Sequence, residues 1–316
     1  MALFKKILVM VLLTALTFIF SCSKAEKAEK KVVTLSGAFA IYPTAIAWGE
    51  AFQKLNPNVQ IEVSAGGAGK GAADCIAGLV DIGMVSRDPD ASEIEKGINV
   101  IPICHDGVFV IISEKNPFAD KIIEKGFTKE ILNELYINKK KMTFEEILGI
   151  SGENKNPANV YTRSDSCGAA ATFAKFLGKF KQENLGGIGV NSDPQMINAV
   201  LNDANGISYA NFSYVFGKDG KVFPGVKVVP IDVDGNGKIE DNEKISSREE
   251  AIQSINNGIY PITRKNYFFV KGEPKGATMD YIKFCLSKEG TKILNDCGTS
   301  IPLPDDERES ILSKIK

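Results

Sequence analysis

Apolar positions along this chain alternate between two rhythms, one of short continuous runs and one spaced for a helix face. Residues 32–35 form an apolar strand, and 43–54 place Ile46, Trp48 and Phe52, followed by Leu55, at helical spacing. Residues 58–63 read as a second strand, 69–80 as a helix and 81–84 as a third strand. Strand, helix and strand in turn predict an α/β fold with parallel pairing. The apolar runs 108–112 and 267–270 suit buried strands, and 226–231 reads as a further strand. Residues 279–285 and 289–294 predict a closing pair of helices, and no internal repeat interrupts the alternation.

The first stretch follows neither rhythm. Lys5 and Lys6 precede the apolar run 7–20, which ends at Ser21 and Cys22. A charged start, about 14 apolar residues and a small residue before the cut mark 1–21 as a secretory signal peptide. The run is shorter than the roughly 20 residues that a membrane-spanning helix needs. Ile19-Phe20-Ser21-Cys22 resembles a bacterial lipobox, which implies that Cys22 is acylated and becomes the mature N-terminus. Residues 22–31 are polar and charged and read as a flexible, lipid-anchored tether. The mature chain is expected outside the cytoplasm, held to a bacterial membrane on its periplasmic side or at the cell surface.

Composition narrows the function classes. The 316 residues are 44% hydrophobic and 24% charged, ordinary for a globular chain and long enough for two lobes. With 38 basic and 39 acidic side chains there is no basic excess for nucleic acid. A single His and a single Trp leave little for a His-based zinc site or an aromatic sugar platform. Six cysteines are too few for a disulfide scaffold and too widely spaced for a zinc ribbon.

Two small-residue segments stand where a strand hands over to a helix: 64–71 (SAGGAGKG) and 163–169 (RSDSCGA). Unpaired amides and the positive end of the helix dipole favour an anion there, and small side chains let it approach. A tight turn with Gly for steric reasons would look the same. The first segment fails as a Walker loop, with Ser64 where Gly and Gly71 where Ser or Thr is required. Gly67–Ala72 fits a dinucleotide fingerprint only loosely, and it follows the second strand.

Five segments together resemble the PstS-like phosphate-binding proteins of bacterial ABC importers. They are Ser36-Gly37-Ala38 with Pro43 and Trp48; 66–71 leading to 80–87 (VDIGMVSR); and 106–111 (DGVFVI) with Asn116-Pro117. The others are 163–168 with Phe173, and 260–264 (YPITR) running on to 284–290 and 298–303. The resemblance implies a two-lobe periplasmic binding protein fold of type II, each lobe a mixed sheet flanked by helices, joined by two hinge strands. Lobe 1 would combine 32–107 with 264–316, and lobe 2 would span 108–263. It further implies a monomeric solute-binding protein, not an enzyme, that closes over phosphate or a related oxyanion and delivers it to a membrane permease.

Carried over residue by residue, the resemblance implies an anion site of Ala40, Ile41, Ala68, Gly69, Ser86, Arg87, Arg163, Asp165, Ser166, Cys167, Gly168 and Ala169. Arg163, Asp165 and Gly168 match the family pattern. Ile41, Ala68 and Ala169 stand where hydroxyl residues are common, Cys167 replaces a Ser, and Ser86 replaces a carboxylate. A hydrogen bond to a charged group contributes about 1.5–3 kcal/mol, so the lost hydroxyls weaken phosphate binding unless amides and arginine compensate. The alternative is a relative retuned to another ligand, or one without a transport role that serves as a surface sensor or adhesion module. Cys167 at a helix N-terminus invites a Cys-hydrolase reading, with His105 as its base.

Residues 232–243 (DVDGNGKIEDNE) match a twelve-residue calcium loop inserted in lobe 2. Asp232, Asp234, Asn236, the Lys238 carbonyl and Glu243 would be the ligands, and Gly237 would make the turn. Such an ion would stiffen the insertion without taking part in catalysis. Cys75, Cys104, Cys285 and Cys297 sit in apolar contexts. On one continuous helix Cys285 and Cys297 would lie about 18 Å apart, and only a break near Gly290 would let them bridge.

Overall fold

The computed structural model describes residues 30–152, 157–217 and 219–315, so the expected signal peptide and Cys22 lie outside it. β1 (Lys31–Gly37), α1 (Tyr42–Leu55), β2 (Val59–Ala65), α2 (Ala68–Ala77), β3 (Ile82–Val85), α3 (Ala91–Glu95) and the long β4 (Ile98–Ser113) come first. Next are α4 (Ala119–Lys125), β5 (Phe127–Thr128), α5 (Lys129–Tyr136), α6 (Phe144–Leu148), β6 (Asn159–Arg163) and α7 (Gly168–Leu177). β7 (Ile188–Val190), α8 (Asp193–Asn202), β8 (Gly206–Asn211), α9 (Phe212–Val215), β9 (Val226–Val228) and β10 (Ile231–Asp232) follow. The chain closes with α10 (Arg248–Asn256), β11 (Thr263–Lys271), α11 (Gly276–Cys285), α12 (Lys288–Cys297), β12 (Ile301–Pro302) and α13 (Asp305–Lys314).

The α/β alternation folds as predicted, into a mixed sheet ordered β2-β1-β3-β11-β4-β8-β6-β7. Its two ends are parallel, β1 with β2 and β3, and β6 with β7 and β8. The middle is antiparallel because β4 and β11 run side by side through it. Residues 98–107 of β4 pair with β11, whereas 108–112 pair with β8. The apolar core changes at the same place. One cluster unites residues 33–104 with 268–315, and the other draws on 108–262 together with Ile301.

Local chemistry moves several boundaries. α2 stops at Ala77 because Gly78 adopts φ +72, a left-handed cap that glycine tolerates without a Cβ clash. The expected strand 226–231 splits around Pro230, which has no N–H to donate; β9 pairs with β4, and β10 with β5. α11 and α12 break at Leu286–Ser287, where the Ser287 hydroxyl accepts the Gly290 amide at 3.1 Å. Cys75, Cys104, Cys167 and Cys285 are free thiols. The expected tether ends one residue early, since Lys31 already pairs with Val59. No helix among the described residues is long and apolar enough to cross a membrane.

Candidate functional site

Three helix N-termini border the candidate site. Ahead of α1, Ala40 and Ile41 are buried, and the Ile41 side chain joins the first apolar cluster. The Ile41 amide donates to the Ala38 carbonyl at 3.2 Å, so neither its side chain nor its N–H is left for a ligand. At α2, Gly67 takes φ +88, and the amides of Gly66 and Gly67 both donate to the Gly37 carbonyl, at 2.9 and 3.0 Å. That turn lets α2 begin at Ala68, with its first amides outside the intrahelical ladder. At α7, Cys167 is the N-cap, and helix geometry leaves Gly168 and Ala169 without intrahelical acceptors for their amides.

The second and third of these termini meet directly. The Gly69 amide donates to the Ser166 carbonyl at 3.4 Å. A Cβ on Gly69 would lie 2.1 Å from the Ser166 hydroxyl, and one on Gly67 would lie 3.2 Å from Asp165 Oδ2. Gly168 backs onto Ser86 so closely that a Cβ would stand 2.1 Å from its carbonyl oxygen and 2.2 Å from its hydroxyl. The first terminus is linked through Phe39, whose ring lies 5.5 Å from the Arg163 guanidinium and whose carbonyl accepts the Tyr214 hydroxyl at 3.3 Å. Gly69, Ser86, Arg163, Asp165, Ser166 and Gly168 are thus gathered at one place.

Arg163 lies at the end of β6 with its side chain 1% exposed. Its Nε donates to Asp165 Oδ1 at 2.7 Å, Nη2 to Asp165 Oδ2 at 2.5 Å, and Nη1 to Asp193 Oδ2 at 2.7 Å. Three of the five guanidinium donors are thereby committed, and two remain. Burial opposes the Arg163 charge, but the Asp165 hydrogen bond and the two carboxylate charges outweigh it and raise its pKa. Burial likewise works against ionised Asp165, yet Arg163 holds it below the usual carboxylate range. One guanidinium facing two carboxylates leaves a formal charge of −1 in this cluster before any ligand enters.

Other expected members stand elsewhere or are already engaged. Arg87 turns away and forks onto Glu93, with Nη1 at 2.9 Å and Nη2 at 2.6 Å, so it is not an anion ligand in this structure. The cause is local: Glu93 closes the capping box of α3 six residues on. The Cys167 amide donates to Gln182 Oε1 at 2.9 Å, and Gln182 Nε2 donates back to the Asp165 carbonyl at 2.6 Å. Burial pushes the Cys167 thiol up to about 11, the opposite of an activated nucleophile. His105 sits 4.0 Å from Glu307, and burial and Lys265 together lower its pKa. Asp193, Gln182 and Asn211 escaped the sequence reading, since no motif marks them.

The loop 232–243 does not gather ligands around a centre. Asp232 Oδ1 accepts the amides of Gly235 and Asn236, and Oδ2 that of Gly237. Glu243 accepts from Val233 and Glu240, and Asn236 Oδ1 from Lys238. Asp234 takes the Asn236 amide at 3.1 Å. Among the described residues no group of three or more His, Cys, Asp or Glu side chains is placed to hold a metal ion. The calcium expectation finds no support in this geometry, in which these oxygens accept hydrogen bonds from the loop's own backbone.

Comparison with known proteins agrees on the fold. A family model described as a PBP superfamily domain matches residues 23–289. The phosphate-binding protein PstS of Bacillus subtilis is 28% identical over 291 residues, covering 90% of this chain and 86% of that protein. The crystal structure of a phosphate ABC transporter substrate-binding protein from Clostridium perfringens, with bound phosphate, superposes with a TM-score of 0.70. It is 26% identical and covers 87% of this chain and all of its own. An ABC-type phosphate transport receptor from Vibrio cholerae, 19% identical, superposes with a TM-score of 0.63 over 86% of this chain and 100% of its own.

Proposed function

The chain belongs to the PBP superfamily, and from that membership we propose that it is the extracytoplasmic, lipid-anchored solute-binding protein of an ABC importer, with phosphate as its ligand. The observation that carries this reading is the meeting of the α2 and α7 N-termini beside Arg163, which keeps two donors free. Residues 32–107 with 264–316 form one lobe in this reading and 108–263 the other, with β4 and β11 as the crossings. In this reading phosphate is held by the backbone amides of Ala40, Ala68, Gly168 and Ala169 and by Arg163, in place of the hydroxyls the chain lacks. Closure over the anion brings Gly168 against Ser86 and presents both lobes to a membrane permease. The chemistry is capture and release, with no covalent step.

Titration calorimetry of the mature protein with phosphate, arsenate and sulfate tests the ligand. Saturable heat with phosphate is expected; silence with all three overturns the oxyanion reading, and heat with sulfate alone overturns phosphate. For the anchor, a Cys22→Ser variant is expected to leave the membrane fraction of the expressing cell. Retention of that variant in the membrane would exclude lipidation at this residue.

A further inference from the structure

The buried charges continue past the anion loop to the place where the two apolar clusters meet. Arg264, on β11 opposite Asp106 of β4, has a side chain only 3% exposed. Its Nη2 donates to Asp106 Oδ2 at 2.6 Å and also to Asn211 Oδ1. Asn211 in turn donates its amide and its Nδ2 to Asp193 Oδ1, at 3.0 and 2.7 Å. The other oxygen of Asp193 holds Arg163 Nη1. A second branch leaves from Arg264 Nη1, which donates to the Thr172 hydroxyl at 3.3 Å. That hydroxyl donates to the Gly168 carbonyl at 2.8 Å, in the first turn of α7.

Two unbroken paths therefore run from the crossing strands, one to Arg163 and one to the Gly168 turn. We propose that Arg264 is a positioning residue for the anion site, so that the alignment of β4 with β11 and the placement of Arg163 and Gly168 form one equilibrium. Stability alone accounts poorly for this residue. A buried ion pair is weak evidence of stabilisation, and the Arg264 Nε is buried without a partner, at a cost. What the guanidinium does supply is three acceptors reached at fixed angles, which a lysine ammonium does not reproduce. In a molecule that closes about these strands, a rigid fork at the crossing sets Arg163 and α7 together.

The inference rests on the reading of Arg163 as the anion's cationic partner, and the test separates the two. In the mature protein, Arg264→Lys is followed by three readouts: phosphate affinity, melting temperature, and the ¹⁵N–¹H signal of Arg163 Nε without phosphate. The expected result is affinity weakened by about tenfold together with a displaced or broadened Arg163 signal. A lowered melting temperature with both other readouts unchanged overturns the proposal and leaves Arg264 a structural ion pair. If Arg264→Lys does not fold, Thr172→Val cuts the second branch with little change of shape. A displaced Gly168 amide signal is then expected, and an unmoved one overturns the proposal. Should the wild type bind no phosphate, the function above fails, while the Arg163 and Gly168 signals still decide the coupling.

Discussion

Replacing Arg163 by Met is expected to remove phosphate binding and to destabilise the protein by about 3–5 kcal/mol, the usual cost of stranding one partner of a buried ion pair. Asp193 is the reason for the second effect. Its side chain is 1% exposed, and one of its oxygens has Arg163 as its partner. Asp165, at the rim with its side chain 24% exposed, can rehydrate and contributes less. The binding effect follows from the two uncommitted donors. At about 1.5–3 kcal/mol for each bond to a charged group, their loss weakens affinity by about a hundredfold or more. Urea unfolding and calorimetry on the same variant read the two effects separately. Undiminished affinity would show that the anion is held without Arg163, and an unchanged urea midpoint would show that Asp193 finds water.

Gly168→Ala is the second large effect, and its mechanism is steric. The backbone at Gly168 is helical, so alanine costs nothing while the two sides stand apart. In the arrangement seen here its Cβ would lie 2.1 Å from the Ser86 carbonyl oxygen, a backbone atom with little freedom to move. Overpacking of this kind costs about 1–3 kcal/mol, or about fivefold to 150-fold in affinity, because the contact is required only on closing. Small-angle scattering with saturating phosphate is the measurement, and the variant is expected to stay more extended than the wild type. An equally compact variant with unchanged affinity would show that Gly168 and Ser86 need not meet in the bound form.

Much of this was legible in the sequence. Alternating periods announced the α/β fold, and the five segments with their order announced the family. Arg163 and Asp165, two apart at a strand end, were recognisable as a cation and a carboxylate of one site. Their mutual hydrogen bonds were not recognisable, nor was the share that Asp193 takes from 30 residues away. Such a contact depends on β6 and α8 lying side by side, which no local pattern encodes. Arg87 misled because its neighbour Ser86 does lie against Gly168, while Glu93 engages the Arg87 guanidinium. At 232–243 the residue types were right for a cation, yet the same oxygens are equally good acceptors for the loop's own amides.

The division of the two apolar clusters bears on how the molecule comes together. Apart from Ile301, one cluster draws only on residues 108–262, so it can condense from a single uninterrupted stretch. The other joins 33–104 to 268–315 and stays half-built until the final helices arrive. In a chain that emerges from its leading end, the 108–262 cluster therefore has all but one of its members before the other cluster is complete.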